Sequence, residues 1–142
     1  MNMMEMVLAL FAVVFFSSIA LTYNRHVQDQ NELLINATQY VQATQLCHTV
    51  LDEIDAKLFA KMMSFSSILS TYHNSTRTID LNFPGDTYQI SIEAVRCDSI
   101  GVPLTDVPVN DIFRRVRVTA TTPGLKVPVT LQRLYTKTHL NL

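Results

Sequence analysis

The sequence predicts an α+β protein: one long N-terminal α-helix, apolar in its first half and packed by its second half on a small antiparallel β-sheet. Three observations carry that expectation. All five prolines (Pro84, Pro103, Pro108, Pro123, Pro128) and all three glycines (Gly85, Gly101, Gly124) lie beyond Phe83, so no residue before that point strongly opposes a helix. No residue from Met6 to Asn24 is charged. Beyond Phe83, apolar and polar residues alternate with the period of a half-buried strand. The 142 residues suffice for one ordinary domain, and the pattern divides them into an apolar segment (residues 1–26) and a head (residues 27–142).

The first element is apolar throughout. Met6–Ala20 reads MVLALFAVVFFSSIA, and roughly 18 such residues span a bilayer core as a helix. Arg25 and His26 follow at once and suit a membrane interface. A secretory signal peptide is the competing reading, with Ser18-Ile19-Ala20 as a small-residue cleavage site. Against it, the first residues carry no Lys or Arg and instead carry Glu5. A carboxylate at the start of an apolar helix is costly in lipid or in a packed core unless it is paired. Two roles remain open for Glu5: an acid at the water interface favoured by the helix dipole, or the partner of a positive charge such as an α-amino group from another copy.

Composition agrees with this division. The chain is 48% hydrophobic and 16% charged, against about 25% charged in ordinary soluble domains, and its mean hydropathy is +0.17. Disorder is excluded, because disordered chains are poor in apolar residues. Eleven basic and twelve acidic residues give a net charge of −1, which excludes gripping nucleic acid by bulk charge.

From residue 27 to 63 the pattern is that of an amphipathic helix. Val27, Leu34, Ala37, Val41, Thr44, Cys47, Leu51, Ile54, Leu58 and Met62 trace one stripe, and Gln28, Asp29, Gln39, Gln42, Gln45, Asp52 and Glu53 lie opposite. Glu53 and Lys57 form a favourable i,i+4 pair. A continuous helix to Met62 is roughly 90 Å long, far longer than a compact domain of this size, so its apolar half is expected to project from the head. Residues 64–78 (SFSSILSTYHNSTRT) are expected to be a loop lying against the head.

Residues 79–138 are expected to form the sheet. Thr78–Phe83 is a short strand followed by the turn Pro84-Gly85. Thr87–Arg96 places Tyr88, Ile90, Ile92 and Ala94 on one face. Ile112–Ala120 groups Ile112, Val116, Val118 and Ala120, with Arg115, Arg117 and Thr119 facing away. A second turn at Pro123-Gly124 leads into Val127–Tyr135, where Val127, Val129, Leu131 and Tyr135 share a face. Ser99–Asp111 is a long exposed connection. Cys47 on the stripe and Cys97 at a strand end are a candidate disulfide, which would contribute about 3–4 kcal/mol if unstrained; the alternative is two buried free thiols behaving as small hydrophobes.

No catalytic set is expected. His26, His48, His73 and His139 are not in metal-ligand spacing, and no Gly-rich phosphate loop or Gly-flanked nucleophilic serine occurs. No metal or cofactor is therefore expected. Arg114, Arg115, Arg117, Lys126, Arg133 and Lys137 make the β half locally basic; a solvated outer sheet face is preferred over nucleic-acid binding. Phe11, Phe15 and Phe16 read as helix-packing residues.

The short polar start Met1–Met4, Glu5, the apolar helix to Tyr23, the amphipathic continuation and the small sheet together resemble the type IV pilin and pseudopilin superfamily. The resemblance covers the architecture of the whole chain and is residue-specific around Glu5. The ending FRRVRVTATTPGLKVPVTLQRLYTK is also similar to the C-terminal hairpin of many pilin-like proteins. The resemblance implies that a leader is removed, that Met1 is the methylated N-terminus, and that Glu5 pairs with the terminal amine of a neighbouring subunit. It also implies that the apolar helices, with Phe11, Phe15 and Phe16, bundle as a filament core.

The sequence departs from the pattern in carrying Val14 and Thr22 where major pilins usually have a helix-melting Gly and Pro. That leaves Ser17-Ser18 as the one soft spot. Its one candidate disulfide does not enclose the family's C-terminal loop. The calcium loop of some pseudopilins has no clear counterpart, although Asp106 and Asp111 lie in a loop. The expectation is a non-enzymatic subunit of a homo-oligomeric helical filament, handled by assembly machinery and resident in the inner membrane before it reaches the cell surface. A type II secretion pseudopilin and a signal-anchored extracytoplasmic binding module are the alternatives.

Overall fold

In a computed structural model, α1 (Met3–Phe59), α2 (Ser67–Tyr72), β1 (Ser75–Asp80), β2 (Thr87–Arg96), β3 (Phe113–Thr121) and β4 (Val129–Thr136) follow one another along the chain. The structure describes residues 2–82, 86–106 and 111–137. Met1, Pro108, His139 and the turn expected at Pro84-Gly85 lie outside the described residues. The chain divides into two units, Met1–Thr38 and Gln39–Leu142.

The α1 helix opens on Asn2, whose carbonyl accepts from the N–H groups of Glu5 (2.8 Å) and Met6 (3.3 Å). The Glu5 carboxylate reaches back to accept from the Asn2 N–H at 3.1 Å, the returning arm of a capping box. The Ser17-Ser18 position does not interrupt the helix, and the Thr22 hydroxyl donates to the Ser18 carbonyl at 2.9 Å. Thr38, Thr44 and Thr49 bond back one turn in the same way. Their hydroxyls are thus satisfied within the helix rather than competing with it.

The helix stops at Phe59, short of the expected Met62. Lys61 takes a left-handed φ of 55°, the Met62 N–H donates to the Lys57 carbonyl (3.0 Å), and the Lys61 N–H donates to that of Leu58 (3.1 Å). This is the paired closure of a Schellman motif, formed without the glycine that usually occupies the left-handed position.

In the second unit the four strands pair antiparallel in the order β1-β2-β3-β4. One face of the sheet carries Tyr88, Ile90, Ile92, Ala94, Val116, Val118, Ala120 and Val129, all buried. The cover is the sheet-facing stretch of α1, with Ala43, Cys47, Val50, Leu51, Ile54 and Leu58 buried in the same core. The fold is therefore α+β, with the later part of the long helix packed on a small antiparallel sheet. The β3–β4 turn forms where expected: the Leu125 N–H closes on the Thr122 carbonyl at 3.0 Å around Pro123 and Gly124.

Several expectations need correction. Residues 64–78 are not a simple loop. Ile68 and Tyr72, spaced i,i+4, are fully buried and hold α2 in place, and β1 starts at Ser75 rather than Thr78. The early start escapes the apolar alternation because the helix-facing position before Ile79 is held by Arg77, a charged residue. The second compact unit begins at Gln39, and Leu34, Val41 and Met62 of the expected stripe are exposed.

Two polar residues lie on the face opposite to the expected one. Gln39, expected outside, is buried, and its amide donates to Asp86 at 2.8 Å. Arg114, expected on the solvated sheet face, is only 3% exposed. The disulfide is also absent: Cys47 and Cys97 are both free and buried. The Cys47 thiol lies against the carbonyls of Val118 and Val129, and Val118 pairs with Ile92. Cys97 is five residues further along that strand, about 16 Å at the rise of an extended chain, beyond what a disulfide can bridge.

Candidate functional site

The residues expected to carry assembly lie on the first unit. Among them Glu5, Phe11, Phe15 and Phe16 are described, and all are exposed, Phe16 at 70%. Phe15 and Phe16 meet edge to face, with ring centroids 6.5 Å apart. From Met3 to Tyr23 the large apolar side chains are exposed on every side of the helix. This stretch is long and apolar enough to cross a membrane, and none of it is buried. An exposed apolar patch normally stays within a few hundred Å² on a soluble protein. A helix apolar all round needs lipid or other protein around it. Among the described residues, the Glu5 carboxylate accepts from the Asn2 N–H.

The head's chemistry lies at three places, the first being the ion pairs that flank the sheet at its two edges. At the β1 edge, Glu53 accepts from Arg77 Nη1 (2.8 Å) and Nη2 (3.4 Å) and also from Lys57 Nζ. These donors, Arg77 first, hold its carboxyl down at about 2. At the β4 edge, Arg133 donates to Asp55 and, at 3.2 Å, to Asp52. Beside them burial pushes the Tyr135 hydroxyl well above its ordinary range. The helix is thus tied to both outer strands of the sheet by ions that its own polar flanks supply.

The second cluster joins the start of the sheet-facing helix to the β3–β4 turn. Gln39 bonds Asp86, and Tyr88 donates to Gln42 Oε1 at 2.9 Å. Gly124 lies so close to Gln39 that an added Cβ would meet the amide nitrogen at 2.5 Å.

The third is a groove of about 740 Å³ between α2 and the end of β2. Arg114 stacks over the Phe65 ring, 4.9 Å from its centroid, and forms a two-pronged pair with Asp111. The Arg114 hydrogen bonds, with burial opposing, hold the Asp111 carboxyl below its ordinary range. Arg96 shares the same carboxylate through Nε at 3.3 Å. Sequence reasoning missed this inward arginine, although the signal was present: Arg114 has the same parity as Val116, Val118 and Ala120. Gln39 likewise stands one turn before Ala43 and two before Cys47.

Burial pushes both cysteine thiols up, which makes them packing groups rather than nucleophiles. Among the described residues no group of His, Cys, Asp and Glu is arranged to hold a metal ion. Compared with models of protein families, with curated proteins and with solved structures, the chain matches none.

Proposed function

We propose that the chain is a non-enzymatic structural subunit of a type IV pilus-like filament, held in the inner membrane by its apolar helix before assembly and carried to the cell surface as a polymer. One observation carries the reading: a helix that is apolar on all sides from Met6 onward, unburied, with a single acid near its start, continues into a stretch that covers its own sheet. Apolar helices of several copies can satisfy one another as the filament core, while the heads remain outside it. Within such a bundle Glu5 meets the ammonium of a neighbouring N-terminus, exchanging the neutral Asn2 N–H for a charged donor, and charge-assisted hydrogen bonds are roughly twice as strong as neutral ones. Phe11, Phe15 and Phe16 supply bulk to the packing.

The test is Glu5→Leu in the full chain. The variant is expected to stay folded and membrane-resident while filament yield falls by about tenfold or more, since a buried ammonium is left without its counter-charge. Wild-type yield from Glu5→Leu overturns the pairing. Absence of fibres from wild-type material under negative stain overturns the filament reading itself in favour of a signal-anchored binding module, which the groove beside α2 favours. Fibres that appear only alongside a secretion apparatus select the type II pseudopilin form.

A further inference from the structure

The groove between α2 and the end of β2 plays no part in the assembly reading. Its walls are unlike each other. On one side Leu69 and Ser70 of α2 lead to His73, whose Nδ1 donates to the Ala94 carbonyl at 3.3 Å. On the other side are Arg96, Arg114 and the one carboxylate they share, Asp111. Two guanidinium groups therefore meet a single anion. Arg114 commits both terminal nitrogens to Asp111, and its buried Nε has no partner. Arg96 gives Asp111 only its Nε, so its two terminal nitrogens are uncommitted among the described residues. Residues 98–104, which border the groove, are held by hydrogen bonds: the Asp98 carboxylate accepts from the N–H groups of Ile100 (3.0 Å) and Val102 (2.8 Å), and the Leu104 N–H donates to the Arg96 carbonyl at 3.0 Å.

We propose that this groove is a binding site for a ligand bearing an oxyanion, a carboxylate or a phosphate, seated on the free fork of Arg96. A guanidinium fork matches the two oxygens of either group. Two guanidinium groups share one carboxylate, so these three groups keep one net positive charge in a partly desolvated setting, where charge acts more strongly than in water. The Ser70 and His73 side stands opposite as a polar wall, and Leu69 and Leu104 offer apolar contact to the body of the ligand.

The experiment titrates the full chain in detergent micelles with inorganic phosphate and, separately, with succinate, holding ionic strength constant with chloride and reading heat and the unfolding midpoint. Saturable binding of at least one anion is expected, and which one binds assigns the class. Arg96→Gln, at a half-exposed position, is expected to keep the fold by circular dichroism and to weaken that binding by about tenfold or more, the usual worth of hydrogen bonds to a charged group. No saturable response to either anion overturns the proposal, as does undiminished binding by folded Arg96→Gln. Neither readout depends on filament formation, so failure here leaves the assembly reading untouched.

Discussion

Two stretches of α1 make an instructive contrast. Met3–Tyr23 and Gln39–Leu58 belong to one helix and are both rich in large apolar side chains. The first buries none of them, whereas the second buries one face and charges the flanks. The difference lies in the angular distribution of polarity. The sheet-facing stretch has Asp52, Glu53, Asp55 and Lys57 beside its apolar stripe, so it has one way to dock and ions to fix it there. The apolar stretch has no such flank and hence no preferred face. Such a surface suits lipid, or several neighbours at once, better than one sheet.

The largest test of the contrast is a pair of truncations. Ile54→Ala should lower the head's stability by about 3 kcal/mol, because it opens a cavity in a fully buried site. Val14→Ala should leave it within about 0.5 kcal/mol. Denaturant unfolding followed by a head-specific probe measures both, and equal losses would erase the distinction between the stretches.

The start of the sheet-facing stretch is tested next. Gly124→Ala should cost about 1–2 kcal/mol, since the new methyl displaces the Gln39 amide from Asp86 and leaves buried polar groups unpaired. Combined with Gln39→Ala, the penalty should shrink, so a double-mutant cycle reports the coupling. Strict additivity would place the boundary elsewhere.

Acid sharpens the role of the charged flank. The folded Glu53 carboxyl lies at about 2, below its ordinary value of 4.5. The stability it contributes is therefore fully present above about pH 4.5 and is lost as pH falls through 2. The group is more than a third exposed, so solvent screening keeps the effect modest. In Glu53→Gln the unfolding midpoint should fall less steeply over that window than in wild type.

The smallest effect belongs to the helix end. Lys61→Gly should raise stability by about 0.5–1 kcal/mol by relieving a left-handed backbone that carries a Cβ. A decrease in thermal midpoint would show that the lysine side chain does more there than the backbone requires.

Much of this was legible without coordinates. The late arrival of every proline and glycine established the long helix. The uncharged run defined the apolar segment, and alternation located β2, β3 and β4 closely. These features are local: helix formation, span length and strand period depend on residues within a few positions of each other. Glu5 was visible as an anomaly for the same reason, being one charge beside a run that has none.

Tertiary structure decided what depends on distant partners. Gln39 can be buried only because Asp86 arrives from another segment to meet it, and Arg114 because the Phe65 ring, far away in sequence, lies under its guanidinium. Arg77 makes β1 an inward-facing strand because Glu53 waits on the helix. Cys47 and Cys97 stay apart because the strand register sets them about five residues out of step. A polar side chain's own pattern reports the cost of burying it. Whether that cost is met is settled by the group that lies opposite in the folded chain.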